Sequence, residues 1–304
     1  MHREGDRMST LANRNAVVAG VDGSAVATSA ARWAAALAAR LGAPLHLVHS
    51  LPSEGIFYSE AAVLIQAQMV DQLREDGEAI LSNVTDVVRS DHPDLEVQSF
   101  IGPGPAANSL LEAAEDARLV VMGATGANAV ENFLLGSTVL RVANHAPCPV
   151  VVWRGDTARP LPDTRPIVVG VDGSELSTAA VGHAFEYASL FGVPLVAVHS
   201  WIGDAALGVG TVATLVDWEA VGESESAVLS ETLAGWHEKF PDVEVRRVVD
   251  RGPIAKVILR QLEDAQLVVV GSHGRSQFTG ALLGSVSQNL LHNAPCPIMI
   301  SRKK

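Results

Sequence analysis

Val18-Ala19-Gly20-Val21-Asp22-Gly23-Ser24 returns as Val168-Val169-Gly170-Val171-Asp172-Gly173-Ser174, 150 residues further along the chain. In the first copy, residues 16–21 form an apolar run, read as a buried strand, and Asp-Gly-Ser is the turn out of it. Residues 27–41 follow as an alanine-rich helix with apolar residues at helical spacing, stopped by Gly42. Further out, His49-Ser50 returns as His199-Ser200 and Gly102-Pro103 as Gly252-Pro253, at the same offset of 150. Beyond that the offset is 148: Gly123 matches Gly271, Gly136-Ser137 matches Gly284-Ser285, and Pro147-Cys148-Pro149 matches Pro295-Cys296-Pro297. The chain is one unit written twice. On this alignment repeat one holds two extra residues between Gly102 and Gly123.

Each repeat alternates strand and helix. In repeat one the pattern predicts strands at residues 45–49, 95–101, 119–122 and 150–152. The helices between them are predicted at about 60–89, 105–117 and 136–144. Alternation of this kind implies an α/β fold, a parallel sheet with helices on both faces and right-handed crossovers. Two tandem doubly wound five-stranded parallel sheets are expected. The order 3-2-1-4-5 is one common solution, and in it the first and fourth strands flank the switch point where ligands bind. The predicted division is a disordered lead-in at 1–14, domains at 15–153 and 167–304, and a linker at 154–166 stiffened by Pro160, Pro162 and Pro166.

The 304 residues suit two such units, each long enough to bury about 70% of its unfolded surface. Formal charge is −12, which argues against nucleic acid or an anionic membrane as a partner. The charge is uneven: residues 1–153 carry 9 Lys+Arg against 17 Asp+Glu, and residues 154–304 carry 13 against 17. Two cysteines in so long a chain imply a reducing compartment, and both are expected to stay reduced. The polar first residues hold no apolar signal core, and no run approaches the roughly 18 apolar residues of a membrane helix. A cytoplasmic location is expected.

The chemistry lies in the loop after the fourth strand. It runs Gly123-Ala124-Thr125-Gly126, nine residues, then Gly136-Ser137; in repeat two, Gly271-Ser272-His273-Gly274, nine residues, then Gly284-Ser285. Paired glycines let backbone N–H groups approach an anion closely, and a helix starting at Gly-Ser offers free N–H groups and a positive dipole end. Ser137 and Ser285 either give a hydroxyl to the anion or cap the helix. Asp22 and Asp172 close the first strand across the crevice, where a carboxylate accepts hydrogen bonds from ribose hydroxyls or an adenine amino group. They also suit a plain strand-to-helix turn. His49 and His199 read as structural, and His46 and His49, on opposite faces of one strand, cannot share a metal. Glycine-rich kinase, dehydrogenase, hydrolase-elbow and zinc motifs are all missing from the sequence.

This double G-x2-G-x9-G-[S/T] pattern, with the Val-Asp-Gly-Ser turn and the Pro-Cys-Pro lead into the last strand, resembles the universal stress protein family over about residues 15–153 and 166–302. The resemblance implies an adenine nucleotide alpha hydrolase-like fold and an ATP ligand, with or without Mg2+, in each half. The implied contacts are Gly20, Val21, Asp22, Ser50, Met122, Gly123, Gly126, Gly136, Ser137 and Thr138 in repeat one. In repeat two they are Gly170, Val171, Asp172, Ser200, Val270, Gly271, Gly274, Gly284, Ser285 and Val286; Arg275, directly after the second glycine, is added as a contact on its charge and position. Ser50 stands where the family often has valine. The implied role is nucleotide-dependent regulation in stress survival. A slow ATPase or self-phosphorylating enzyme, and a nucleotide-free scaffold, are the alternatives; neither loop supplies a lysine for a γ-phosphate. Relatives pair their final strands across a twofold axis, which implies an internal pseudo-dimer of repeats and leaves room for a homodimer. Arg275, where repeat one has Ala127, implies that repeat two binds more tightly.

Overall fold

The computed structural model describes residues 15–51, 60–126, 135–201, 217–274 and 283–302. The expected 1–14 lead-in, Ala127 and Arg275 lie outside them. The chain divides into two compact units, Met1–Leu161 and Pro162–Lys304.

Unit 1 runs β1 (Val17–Gly20), α1 (Ala25–Leu41), β2 (Leu45–Ser50), α2 (Glu60–Asp91), β3 (Val97–Gly102), α3 (Ala106–Ala114), β4 (Leu119–Gly123), α4 (Ser137–His145) and β5 (Val150–Trp153). Its strands are all parallel, in the order β3-β2-β1-β4-β5. Unit 2 runs β6 (Ile167–Val171), α5 (Glu175–Phe191), β7 (Leu195–Trp201), α6 (Trp218–Lys239), β8 (Val245–Arg251), α7 (Ile254–Arg260), β9 (Leu267–Gly271), α8 (Ser285–Asn293) and β10 (Ile298–Ser301). Its parallel order is β8-β7-β6-β9-β10, the same arrangement. Both sheets therefore have the expected 3-2-1-4-5 order, with the switch point between first and fourth strands.

Local chemistry explains the strand-to-helix steps. Ser24 caps α1 by accepting from the Ala27 N–H, and Asp22 Oδ1 accepts from the Ser24 N–H at 3.0 Å. Gly42 ends the helix at φ 60°, a left-handed conformation that a Cβ disfavours. Ser174 and Gly192 do the same for α5. The central strands β1, β4, β6 and β9 are almost wholly buried apolar runs, as expected of strands covered on both faces. The outer strands β3 and β8 are half exposed, and β8 carries Arg246, Arg247 and Arg251. Polar and charged side chains on such a strand discourage further pairing.

The same helix–helix joint is built differently in the two units. In unit 1, Arg32 on α1 grips Asp91 at the end of α2, with N–O distances of 2.6 and 3.1 Å. The ion pair holds the Asp91 carboxyl below its ordinary pKa and raises that of Arg32. In unit 2 the residue matching Arg32 is Gly182, and a Cβ there would lie 2.6 Å from the Trp236 ring. Trp236 stacks with Phe185 and Phe240 instead.

One sequence expectation is corrected. Leu45 lies opposite Val97 and Leu195 opposite Val245, so the offset is already 148 at the third strand. The Gly-Pro that matches Gly252-Pro253 is Gly104-Pro105, not Gly102-Pro103; Pro105 and Pro253 are the N-caps of α3 and α7. Pro93-Asp94 and Pro241-Asp242 also stand 148 apart, so the two extra residues precede them, between β2 and the end of α2. A surface-covering helical segment absorbs added length, whereas the step from β3 to α3 crosses the sheet's carboxyl edge and is kept tight. The doublet occurs twice in repeat one, which makes both registers look acceptable in sequence.

Candidate functional site

In unit 2 a cavity of about 210 Å3 opens at the carboxyl ends of β6 and β9. β6 delivers Asp172 to its wall, and a closed set of hydrogen bonds fixes that residue. Asp172 Oδ1 accepts from the Ser174 N–H, Ser174 Oγ from the Ser177 N–H, and Ser177 Oγ from the Asp172 N–H, at 2.9, 3.2 and 3.0 Å. Ser177 is buried, while Asp172 and Ser174 are half-buried. Across the crevice, Asp172 Oδ2 lies against Gly274: a Cβ at 274 would sit 2.6 Å from it. Any larger residue at 274 would have to push the Asp172 carboxylate aside.

The loop after β9 is held from two sides. Ser287 Oγ donates to the Gly271 carbonyl at 2.7 Å, and the Gly284 N–H donates to the Ser272 carbonyl at 2.8 Å. These bonds bring the first turn of α8 against the Gly271–Gly274 loop, and both line the cavity. The N-cap of α8 is Gly284 and has no side-chain cap bond. Ser285 is thus the first helical residue and not a cap, and the same holds for Ser137, with Gly136 as the N-cap of α4. A helix start without a capping side chain keeps its N–H groups and partial positive charge for another acceptor. Ile254 and Ile258, one turn apart on α7, make the apolar wall.

Of the residues expected in repeat two, Gly170, Val171, Asp172, Val270, Gly271, Gly274, Gly284, Ser285 and Val286 line this cavity. Ser200 is not among the lining residues; its hydroxyl donates to the Gly252 carbonyl at the step between β8 and α7. Arg275 lies outside the described residues. Sequence reasoning missed Ser177, Ile254, Ile258, His273 and Ser287. His273 stood in view inside the glycine loop, and the isoleucines carried a signal in their i, i+4 spacing. Nothing local marked the two serines.

Unit 1 brings the matching residues together with plainer chemistry. Asp22 Oδ2 lies 3.0 Å from where a Cβ of Gly126 would be. A Cβ on Gly123 would lie 2.9 Å from Val26 Cγ1, and one on Gly20 would lie 3.1 Å from Leu110. The Gly136 N–H donates to the Ala124 carbonyl at 3.1 Å. Met122 is buried in β4, and Thr138 is half exposed in the first turn of α4. Ser50 Oγ is hydrogen-bonded to Ser109 Oγ, which donates to the Pro103 carbonyl. Ala27, Ala124, Thr125 and Val139 occupy the places of Ser177, Ser272, His273 and Ser287.

Elsewhere, the expectation of structural histidines holds in geometry. His49 Nδ1 and His199 Nδ1 hydrogen-bond the carbonyls of Val21 and Val171, and His199 Nε2 adds a 2.7 Å contact to Glu225. Cys148 and Cys296 are buried and neither forms a disulfide. Among the described residues no helix is long and apolar enough to cross a membrane, and no three His, Cys, Asp or Glu side chains are grouped as metal ligands.

The universal stress protein family model matches residues 13–154 and again 163–302. A universal stress protein of Mycolicibacterium smegmatis is 38% identical over 301 residues, covering 98% of this chain and 100% of that one. Two from Mycobacterium tuberculosis are each 36% identical, covering 97% and 94% of this chain and 100% and 96% of their own. Among solved structures, a universal stress protein from Archaeoglobus fulgidus superposes with a TM-score of 0.69 at 19% identity, covering 96% of this chain and 97% of that one. Another from Pseudomonas aeruginosa gives 0.58 at 18%, covering 96% and 94%. These structures share the fold; the family model and the full-length relatives, together with the repeated glycine loops, make this chain a member of the universal stress protein family, with two such domains in tandem.

Proposed function

We propose that each unit binds an adenine nucleotide, ATP in the first instance, and that the protein acts as a cytoplasmic nucleotide-dependent regulator of a stress response. The observation that carries this reading is the unit 2 cavity. It joins an uncapped helix start, a loop whose glycines leave no room for side chains, and a fixed carboxylate, Asp172. The first two suit a phosphate chain, and the third suits ribose hydroxyls or an amino group. Ile254 and Ile258 supply an apolar wall for the flat face of a base. The residues present fit ATP; a Mg2+ arriving with it would be held largely by phosphate oxygens.

Nucleotide released from purified, denatured protein and identified by mass spectrometry tests the reading, with calorimetry on the stripped protein. Micromolar or tighter ATP binding, weakened in Asp172→Ala, is expected. Protein that carries no nucleotide and gives no heat with ATP, ADP, AMP or cyclic AMP would overturn it.

A further inference from the structure

We propose that His273 is the residue by which unit 2 distinguishes a phosphorylated ligand from an unphosphorylated one, an inference that rests on the nucleotide reading above. Asp172 and His273 are the only titratable side chains among the described lining residues of the cavity. Asp172 repels a phosphate, so of these two side chains it is the His273 ring that can donate a hydrogen bond to one. It sits beside the helix start: a Cβ on Gly284, the N-cap of α8, would be 3.2 Å from the His273 Cα.

The imidazole is incompletely satisfied. Nδ1 lies 3.3 Å from Ser272 Oγ, while Nε2 is buried and has no hydrogen-bond partner. With the Ser272 hydroxyl donating to Nδ1, Nε2 carries the proton and is a donor without an acceptor. A buried donor left in this state is unfavourable by about as much as a hydrogen bond is favourable. An anionic oxygen brought by a ligand removes that penalty and adds a charge-assisted bond. Adenosine brings no such oxygen. Unit 1 has Thr125 at this position and lacks the ring altogether.

A role in loop packing alone makes a different prediction, because it would weaken every ligand equally. Calorimetry on the full chain with ATP and with adenosine separates the two, using His273→Thr, His273→Gln and the reciprocal Thr125→His. ATP binding at the unit 2 site should weaken about tenfold in His273→Thr, with adenosine unchanged. His273→Gln, which keeps a neutral donor, should fall between. Thr125→His should strengthen ATP binding in unit 1 alone, and it decides the matter if the His273→Thr chain does not fold. The ligand-free melting temperature of His273→Thr should be equal to or above that of the parent, since an unsatisfied donor is gone. Equal loss of ATP and adenosine, or no loss of either, would overturn the assignment while leaving nucleotide binding intact. A parent protein that binds neither ligand would overturn both.

Discussion

The two units have one topology and nearly one glycine frame, yet their buried polar chemistry is opposite. Unit 2 braces its site with Ser177 and Ser287 and places His273 in the cavity wall. Unit 1 has alanine, valine and threonine there. Away from the site the contrast reverses. Unit 1 joins its first two helices by an ion pair and buries His46 in the sheet, whereas unit 2 uses an aromatic stack and Val196. The glycine frame is common to both units, while the serine and histidine side chains at the loop are particular to unit 2 and the ion pair and buried His46 to unit 1. In unit 2 the Ser177 and Ser287 hydroxyls add to the bonds that hold the Asp172 backbone and the Gly271–Gly274 loop.

The aromatic joint offers the largest test. Phe185 is fully buried against Trp236 and Phe240, at centroid distances of 6.4 and 6.0 Å. Phe185→Ala should destabilise unit 2 by about 3–5 kcal/mol in denaturant unfolding, with unit 1 unaffected. A loss below about 1 kcal/mol would show that the joint is not held by these rings.

His46 tests the converse, that unit 1 keeps a polar group to its detriment. It is 1% exposed, both ring nitrogens lack partners, and its ring meets Phe100 edge-on. Burial lowers its pKa, with Glu96 opposing. A base with a lowered folded-state pKa is neutral in both states at high pH. As pH falls below about 6.5 the unfolded chain takes up the proton first, and stability declines. His46→Val, the unit 2 solution, should raise stability by about 1–3 kcal/mol and remove that acid-side decline. Unfolding midpoints of parent and variant at pH 8 and pH 5.5 check both parts.

Ser177 bears on the site directly. Ser177→Ala reproduces the unit 1 residue and removes the acceptor for the Asp172 N–H. ATP affinity at the unit 2 site should fall a few-fold, about 1 kcal/mol, with the fold retained. An unchanged affinity in calorimetry would mean that Asp172 needs no brace. The smallest effect belongs to Asp91→Asn. Its pair with Arg32 is partly solvent-exposed, so the loss should be about 0–1 kcal/mol at neutral pH. The Asp91 pKa is lowered chiefly by its hydrogen bond to Arg32, so the contribution is present above the ordinary carboxylate range and lost below about pH 4. Salt titration of the unfolding midpoint should narrow the difference between parent and variant.

Sequence alone carried the duplication, the alternation of strand and helix, the capping serines with their preceding aspartates, and the glycine frame. Apart from the duplication, which shows as the sequence matching itself about 150 residues on, these are local: a turn, a cap or a close backbone approach is specified by residues within a few positions of one another. The strand order needed the family resemblance, because period and propensity do not say which strands pair. The insertion was misplaced because Gly102-Pro103 imitates Gly104-Pro105, and only the pairing of β2 with β3 separates them. The serine braces, the isoleucine wall and the orphaned His273 nitrogen were decided by tertiary structure. Ser177 reads in sequence as an ordinary first-turn helix residue, and Ser287 as an ordinary polar one. Their roles exist only because the parallel order brings the ends of β6 and β9 side by side, where hydroxyls from two separate helices reach backbone groups of two separate loops.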